Sequence, residues 1–211
     1  MGILDNILKH QIETEVFCLG LGHLSECLIA KHQLAFIIAL KEKYQLSGIK
    51  FFDPIFTKKE QEILEKLNFE VLTENKEGKY SAKSSTLFFL PHCPKQITNN
   101  LLWINWVPEN IKNLTLICNS FKTIIESTPE RFLKLNANYI IDINTYTEEH
   151  QLNNCFKFTD IFNDTSIHTF PIDKLNKAPE SFWKNTTEPK YLEEDKEIIT
   201  NGSINDTPLT S

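Results

Sequence analysis

The chain has 211 residues, 41% hydrophobic and 24% charged, with 22 basic against 28 acidic residues and a net charge of −6. That is the composition of an ordinary globular domain, and it excludes collagen-like, disulfide-framework and wholly disordered chains. Arg131 is the only arginine, so a direct nucleic-acid reader, which needs a basic face and bidentate arginine forks, is excluded as the main function.

In chain order, residues 15–18 form a short apolar run ending in Gly20-Leu21-Gly22, which predicts a first strand. Residues 25–44 predict a long helix with Ser25 as N-cap, closed by Gln45-Leu46-Ser47-Gly48. Residues 49–52 predict a second strand, stopped by Asp53-Pro54. Thr57 and Glu60 make a capping box for a helix to Leu67, with Ile63, Leu64 and Leu67 on one face. Residues 69–72 read as a third strand, 73–85 as a polar loop and 86–90 as a fourth strand ending in Pro91-His92-Cys93-Pro94. Residues 99–106 predict a Trp-containing helix, with Asn99, Asn100 and Asn105 either lining a polar pocket or capping backbone. A fifth strand covers 114–118 and ends at Asn119-Ser120. Residues 121–126 read as helical, and Thr128-Pro129-Glu130 opens another short helix. Residues 139–143 read as a sixth strand, with weaker strands near 155–158 and 166–170.

Strands that alternate with helices and are apolar at every position are strands buried on both faces. The expected fold is α/β: a Rossmann-like three-layer arrangement with a mostly parallel central sheet and right-handed crossovers. The organisation reads as an N-terminal extension (1–14), one α/β domain (15–185) and a disordered acidic and polar tail (186–211). No apolar run reaches 18 residues, and charges interrupt the first fifteen, so neither a membrane span nor a signal peptide is expected. Five cysteines at irregular spacing (Cys18, Cys27, Cys93, Cys118 and Cys155) suit reduced thiols in cytosol or nucleus.

In an open α/β sheet, ligands bind beyond the carboxyl ends of the strands. The residues expected there are Gly20, Gly22, His23 and Ser25 after strand one, Asp53 after strand two, His92 and Cys93 after strand four, and Asn119 and Ser120 after strand five. These nine are the candidate ligand site. Gly20-x-Gly22 permits a tight turn and close approach of a phosphate to backbone N–H groups. Ser25 stands where a full G-x-G-x-x-G would place its third glycine, and a lone G-x-G is a weak signal, so a tight turn alone is the alternative. Asp53 stands where a Rossmann acid grips a ribose, or simply caps the backbone before Pro54. His92 beside Cys93 offers an acid–base group and a thiol, and Cys93-Pro94 could give a thiolate to haem iron. The alternative is a buried structural Cys. No Cys or His pair has zinc spacing, so no metal site is expected. The G-x-S-x-G and G-K-[ST] signatures are absent. The cofactor stays open between haem and a nucleotide, the partner between a small ligand and a protein, and catalysis is undecided.

Several blocks in order resemble one family. Phe17-Cys18-Leu19-Gly20-Leu21-Gly22, Gln33-Leu34-Ala35-Phe36, Phe52-Asp53-Pro54-Ile55-Phe56, Asn75-x-Glu77-Gly78 and Thr86-Leu87-Phe88-Phe89-Leu90-Pro91-His92-Cys93 are similar to the sensitivity-to-red-light-reduced (SRR) domain. Asn99-Asn100-Leu101-Leu102-Trp103-x-Asn105-Trp106, Cys118-Asn119-Ser120-Phe121 and the stretch from Phe162 to Pro171 continue the match, the last in the manner of animal members. The family usually carries Tyr where Cys18 stands and Gly where Cys118 stands, both at strand positions. The resemblance implies a regulatory protein. Plant members act in red-light signalling and the circadian clock, the yeast member is linked to microtubule stability, and animal members to regulation of haem biosynthesis and clock gene expression. It carries over no established reaction.

Overall fold

The computed structural model describes residues 2–8, 14–152, 158–184, 186–192 and 197–200. In chain order the elements are α1 (Gly2–Leu8), β1 (Glu15–Leu19), α2 (Leu28–Tyr44), β2 (Ile49–Phe52), α3 (Lys58–Lys66), β3 (Glu70–Val71), β4 (Thr86–Leu90), α4 (Lys95–Ile104), α5 (Pro108–Ile111), β5 (Leu114–Asn119), α6 (Phe121–Ser127), α7 (Glu130–Asn136), α8 (Asn138–Asn144), β6 (Glu148–Gln151), β7 (Thr165–Thr169) and α9 (Ile172–Leu175). Short 3-10 turns cover Thr159–Phe162 and Glu180–Lys184.

The strands form one sheet in the order β3-β2-β1-β4-β5-β7-β6. The first five are parallel, while β7 runs antiparallel to both β5 and β6. The α/β expectation and its mostly parallel sheet hold. The continuous apolar runs are explained by burial on both faces, because successive strand residues point to opposite sides. Phe17, Leu19, Phe88, Leu90 and Leu116 enter a core with Leu101 and Leu102 of α4, Trp106 just beyond it, and Tyr139 and Ile143 of α8. Val16, Cys18, Leu87, Phe89 and Ile117 enter a second core with Leu4 and Leu8 of α1, Ala30, Ile37 and Leu40 of α2, and Leu64 of α3. Two helical layers thus sandwich the sheet.

The structure corrects several sequence expectations. Residues 139–143 are helical, in α8, rather than a sixth strand. An apolar run this short does not by itself separate strand from helix, and Tyr139, Ile140 and Ile143 are buried at helical spacing. The edge strand β6 is Glu-Glu-His-Gln and carries no apolar signal. Its polarity suits an edge, where charged side chains discourage further pairing. Cys27, not Ser25, precedes α2, and it makes no side-chain cap. The capping box of α3 is present in both directions, but only Leu64 of its expected apolar face is buried, Ile63 and Leu67 being exposed. The strand expected near 155–158 falls largely on residues 153–157, outside the described residues. The N-terminal stretch expected as an extension contains α1, and its Leu4 and Leu8 are buried in the core.

Residues 186–192 and 197–200, expected within a disordered tail, lie against the domain. Trp103 Nε1 donates to the Thr186 carbonyl at 2.9 Å and Tyr139 Oη to the Thr187 carbonyl at 2.6 Å. Tyr191 Oη donates to Asn100 Oδ1 at 2.8 Å. Residues 193–196 and 201–211 lie outside the described residues.

Candidate functional site

The strand order reverses direction of growth between β1 and β4, so the crevice of this sheet opens between the turn after β1 and the turn after β4. The nine candidates divide here into three groups, and the sheet brings only some of them together.

The first group lines a cavity of about 170 Å³ over the ends of β1 and β2. Gly20, Asp53 and Cys93 belong to it, with Phe52, Tyr80, Asn75, Ile198 and Ile199. Gly20 has φ +65° and sits so close to Cys93 that a Cβ would collide with the Cys93 Sγ. Cys93 Sγ donates to the Leu19 carbonyl at 3.3 Å, so its thiol fills the switch point itself. Burial, with a lesser push from Asp53, raises that thiol to about 12. At neutral pH it is a protonated thiol, neither a nucleophilic thiolate nor a ready iron ligand. Asp53 accepts from Gly22 N–H at 2.6 Å and from Ile55 N–H at 3.0 Å. Its carboxyl is raised from the ordinary value by burial, which those two hydrogen bonds only partly offset. Asp53 therefore holds the glycine turn onto β2. Of the alternatives for Asp53, backbone capping is the one the geometry displays, and the carboxylate still borders the cavity.

The second group lines a more open cleft of about 410 Å³ over the ends of β4 and β5, made by His92, Cys93, Lys95, Asn119, Ser120 and Thr123 among others. His92 is exposed and left-handed, with φ +60°. Asn119 holds that uncommon conformation, accepting from His92 N–H at 2.8 Å and donating to the Cys93 carbonyl at 2.9 Å. His92 Nε2 lies 3.1 Å from the Ile161 carbonyl. A carbonyl only accepts, so Nε2 carries the proton and Nδ1 of the neutral ring is an acceptor. Ser120 caps α6 by accepting from Thr123 N–H at 3.0 Å, and donates to Glu149 Oε1 at 2.5 Å. Both its lone pair and its proton are engaged, which makes it a cap rather than a nucleophile.

The third group, His23 and Ser25, reaches neither space. Both bind Glu60, a carboxylate only 2% exposed. His23 Nδ1 lies 3.3 Å from Glu60 Oε2, and Ser25 N–H donates to Oε1 at 3.1 Å. Thr57 N–H and hydroxyl each add a bond of 2.9 Å. Burial pushes the Glu60 carboxyl up, but bonds from Thr57, Ser25 and His23 together win and hold it at about 2. This carboxylate staples the β1–α2 loop to α3. Gly22 serves the same loop, at φ +83°, through Asp53.

Sequence reasoning missed Tyr80, Asn75, Lys95, Ile198 and Ile199. Asn75-x-Glu77-Gly78 is a visible motif, but its approach to the ends of β1 and β2 depends on folding. Asn100, one of the α4 amides, donates to the Glu77 carbonyl at 2.8 Å. Asn105 accepts from Ala82 N–H at 2.7 Å and donates to the Tyr80 carbonyl at 2.8 Å. Those amides anchor the 75–82 loop rather than line a pocket. The two unusual cysteines, Cys18 in β1 and Cys118 in β5, are buried, and burial raises both thiols far above the ordinary value. Among the described residues no three His, Cys, Asp or Glu side chains gather as a metal site, and no helix is long and apolar enough to cross a membrane.

Strand order and the crevice together define a Rossmann-like α/β domain with a cavity and a cleft at its strand ends. The SRR1 domain family model matches residues 3–169, and the chain belongs to that family. It is 35% identical over 186 residues to an SRR1-like protein of Drosophila melanogaster, covering 88% of this chain and 65% of that protein. It is 39% identical over 129 residues to an SRR1-like protein of Mus musculus, covering 60% of this chain and 52% of that one. The protein SENSITIVITY TO RED LIGHT REDUCED 1 of Arabidopsis thaliana is 30% identical over 118 residues, covering 55% and 43%. The chain thus spans less than two thirds of the length of these relatives.

Proposed function

We propose that this is a regulatory protein of the SRR1 family, acting in the control of haem biosynthesis and clock gene expression from the cytosol or nucleus, and that it does so by binding a small ligand at the strand ends. The observation that carries the ligand half is the cavity and cleft meeting at the His92–Pro94 turn, where the sheet order reverses. The regulatory half draws on family membership and on the Arabidopsis relative's name. A nucleotide suits the site better than haem held by Cys93, because that thiol is protonated and already bonded to Leu19. A second reading, an enzyme of undetermined reaction, draws on the exposed His92, which lines the cleft.

A thermal-shift screen with nucleotides, nicotinamide cofactors, S-adenosylmethionine and haemin tests the ligand half. A ligand at 100 times its dissociation constant stabilises by about 2.7 kcal/mol, a shift of a few degrees. The expected result is a nucleotide-class hit weakened by Lys95→Ala. Haemin as the sole hit would replace this reading with a haem sensor, and no hit would leave protein partners as the regulators' targets. Unchanged haem content and clock transcript rhythm in cells lacking the protein would overturn the regulatory half.

A further inference from the structure

The cavity at the ends of β1 and β2 is partly covered by the chain's own residues 197–199. Ile198 is 7% exposed, and it and Ile199 form part of the cavity wall. Asn75 Nδ2 donates to the Ile199 carbonyl at 2.8 Å. Glu197 Oε1 lies 2.7 Å from Lys95 Nζ. Lys95 is the more buried partner, its side chain 19% exposed against 53% for Glu197. Residues 197–200 thus present an apolar body, a carbonyl acceptor and a carboxylate to three matching features of the domain.

One residue of the cavity wall keeps an unpaired polar group. Tyr80 lines it, is 7% exposed, and its hydroxyl is buried without a hydrogen-bond partner among the described residues. A buried hydroxyl with no partner is costly, and most in folded proteins find one. The strap fills the apolar part of the site but leaves this donor unused. At about 170 Å³ the partly covered cavity is also below the roughly 300–1,000 Å³ of ordinary small-molecule sites. Cys93, Pro94 and Glu197 border both this cavity and the adjoining cleft of about 410 Å³. Moving Glu197 and the two isoleucines aside would join the two spaces.

We propose that residues 197–200 are a self-ligand, and that the site they occupy takes a small organic anion of the mononucleotide kind, with a flat apolar ring against Phe52 and Tyr80, a hydrogen-bond acceptor for Tyr80 and Asn75, and an acid group for Lys95. This rests on the small-ligand reading above and adds its regulation. Strap and ligand exclude one another, so the closed strap lowers apparent affinity by the fraction of time the site is open. Holding the strap are the two isoleucines, a hydrogen bond from Asn75 and an ion pair with a solvated carboxylate, among other contacts, and exposed pairs of that sort are weak.

Two readouts on the full chain separate the parts. The first is alkylation of Cys93 by iodoacetamide, read by peptide mass, in wild type, Ile198→Asp and the milder Glu197→Gln. Opening the strap is expected to raise the Cys93 rate at least about fivefold in Ile198→Asp and less in Glu197→Gln, while the core thiol Cys118 stays unreactive. An unchanged Cys93 rate, or equal acceleration of Cys118, which reports general loosening, overturns the strap. The second is calorimetric titration with adenosine 5′-monophosphate. Binding is expected to be at least about tenfold tighter in Ile198→Asp than in wild type, and to weaken about tenfold again when Lys95→Met is added. Equal affinity in wild type and Ile198→Asp overturns the competition. No binding to either, with Cys93 nonetheless exposed, overturns the mononucleotide assignment while the strap stands; the small-ligand reading falls only if the wider thermal-shift panel also gives no hit.

Discussion

Single residues at the crevice are set by backbone geometry before chemistry. Gly20 adopts φ +65° and abuts the Cys93 thiol. Any L side chain at that φ is strained, by about 1–3 kcal/mol, and here a Cβ also meets a sulfur held by the Leu19 carbonyl. Gly20→Ala is therefore expected to lose at least about 2 kcal/mol in urea unfolding. Adding Cys93→Ala removes the collision but not the strained φ, so the double variant recovers part of the loss. Full additivity of the two losses would show that the collision is not what Gly20 avoids. The glycine was visible in the sequence, but its reason was not. A G-x-G turn reads equally as a phosphate cradle, and only the neighbouring β4 turn shows that a thiol occupies the approach.

Elements show the same division between local and distant causes. The capping box of α3 was legible because Thr57 and Glu60 are three residues apart. Glu60's further bonds to His23 and Ser25 depend on β1 and β2 lying side by side, which no local pattern states. Residues 139–143 read as a strand because their apolar run is short, and α8 forms because that run buries Tyr139, Ile140 and Ile143 against the core. Of the two alternatives open for the α4-region amides, capping is the one seen: Asn100 and Asn105 organise the long 73–85 loop, and Asn99 accepts from Tyr139 N–H. Asn105 is fully buried and serves Ala82 N–H and the carbonyls of Tyr80 and Leu101. Asn105→Ala leaves those backbone groups without partners, at about 1–3 kcal/mol for each group left buried. The expected loss is about 3 kcal/mol in urea unfolding, with faster hydrogen exchange confined to the 75–82 loop. A loss under about 1 kcal/mol would mean that the loop is held by other contacts.

At the scale of the whole molecule, the parallel half of the sheet was legible and the antiparallel edge was not. Strands β1, β4 and β5 are buried on both faces over nearly their whole length and announce themselves as apolar runs, β2 is fully buried on one face only, and β6 is polar and pairs only at the edge. That edge nonetheless enters the molecule's acid response. Glu149 of β6 is pushed up by burial, but His168, Ser120 and Lys122 N–H bind it and hold it at about 2. Glu60 sits at about 2 as well, against 4.5 for an ordinary Glu. A carboxyl whose folded value is depressed adds stability above the unfolded value and loses it as pH falls through the folded one. For both glutamates that window runs from 4.5 down to about 2. Asp53 has the opposite sign. Burial raises it above 3.8, so its charge opposes folding at neutral pH and its protonation relieves that cost on acidification. Asp142, also raised by burial, shares that sign, but the two glutamates are displaced much further and give a net decline. The urea midpoint should therefore fall between about pH 5 and about pH 2. Glu60→Gln with Glu149→Gln should lower the neutral midpoint and flatten that slope. A slope unchanged in the double variant would assign the acid response to other carboxylates.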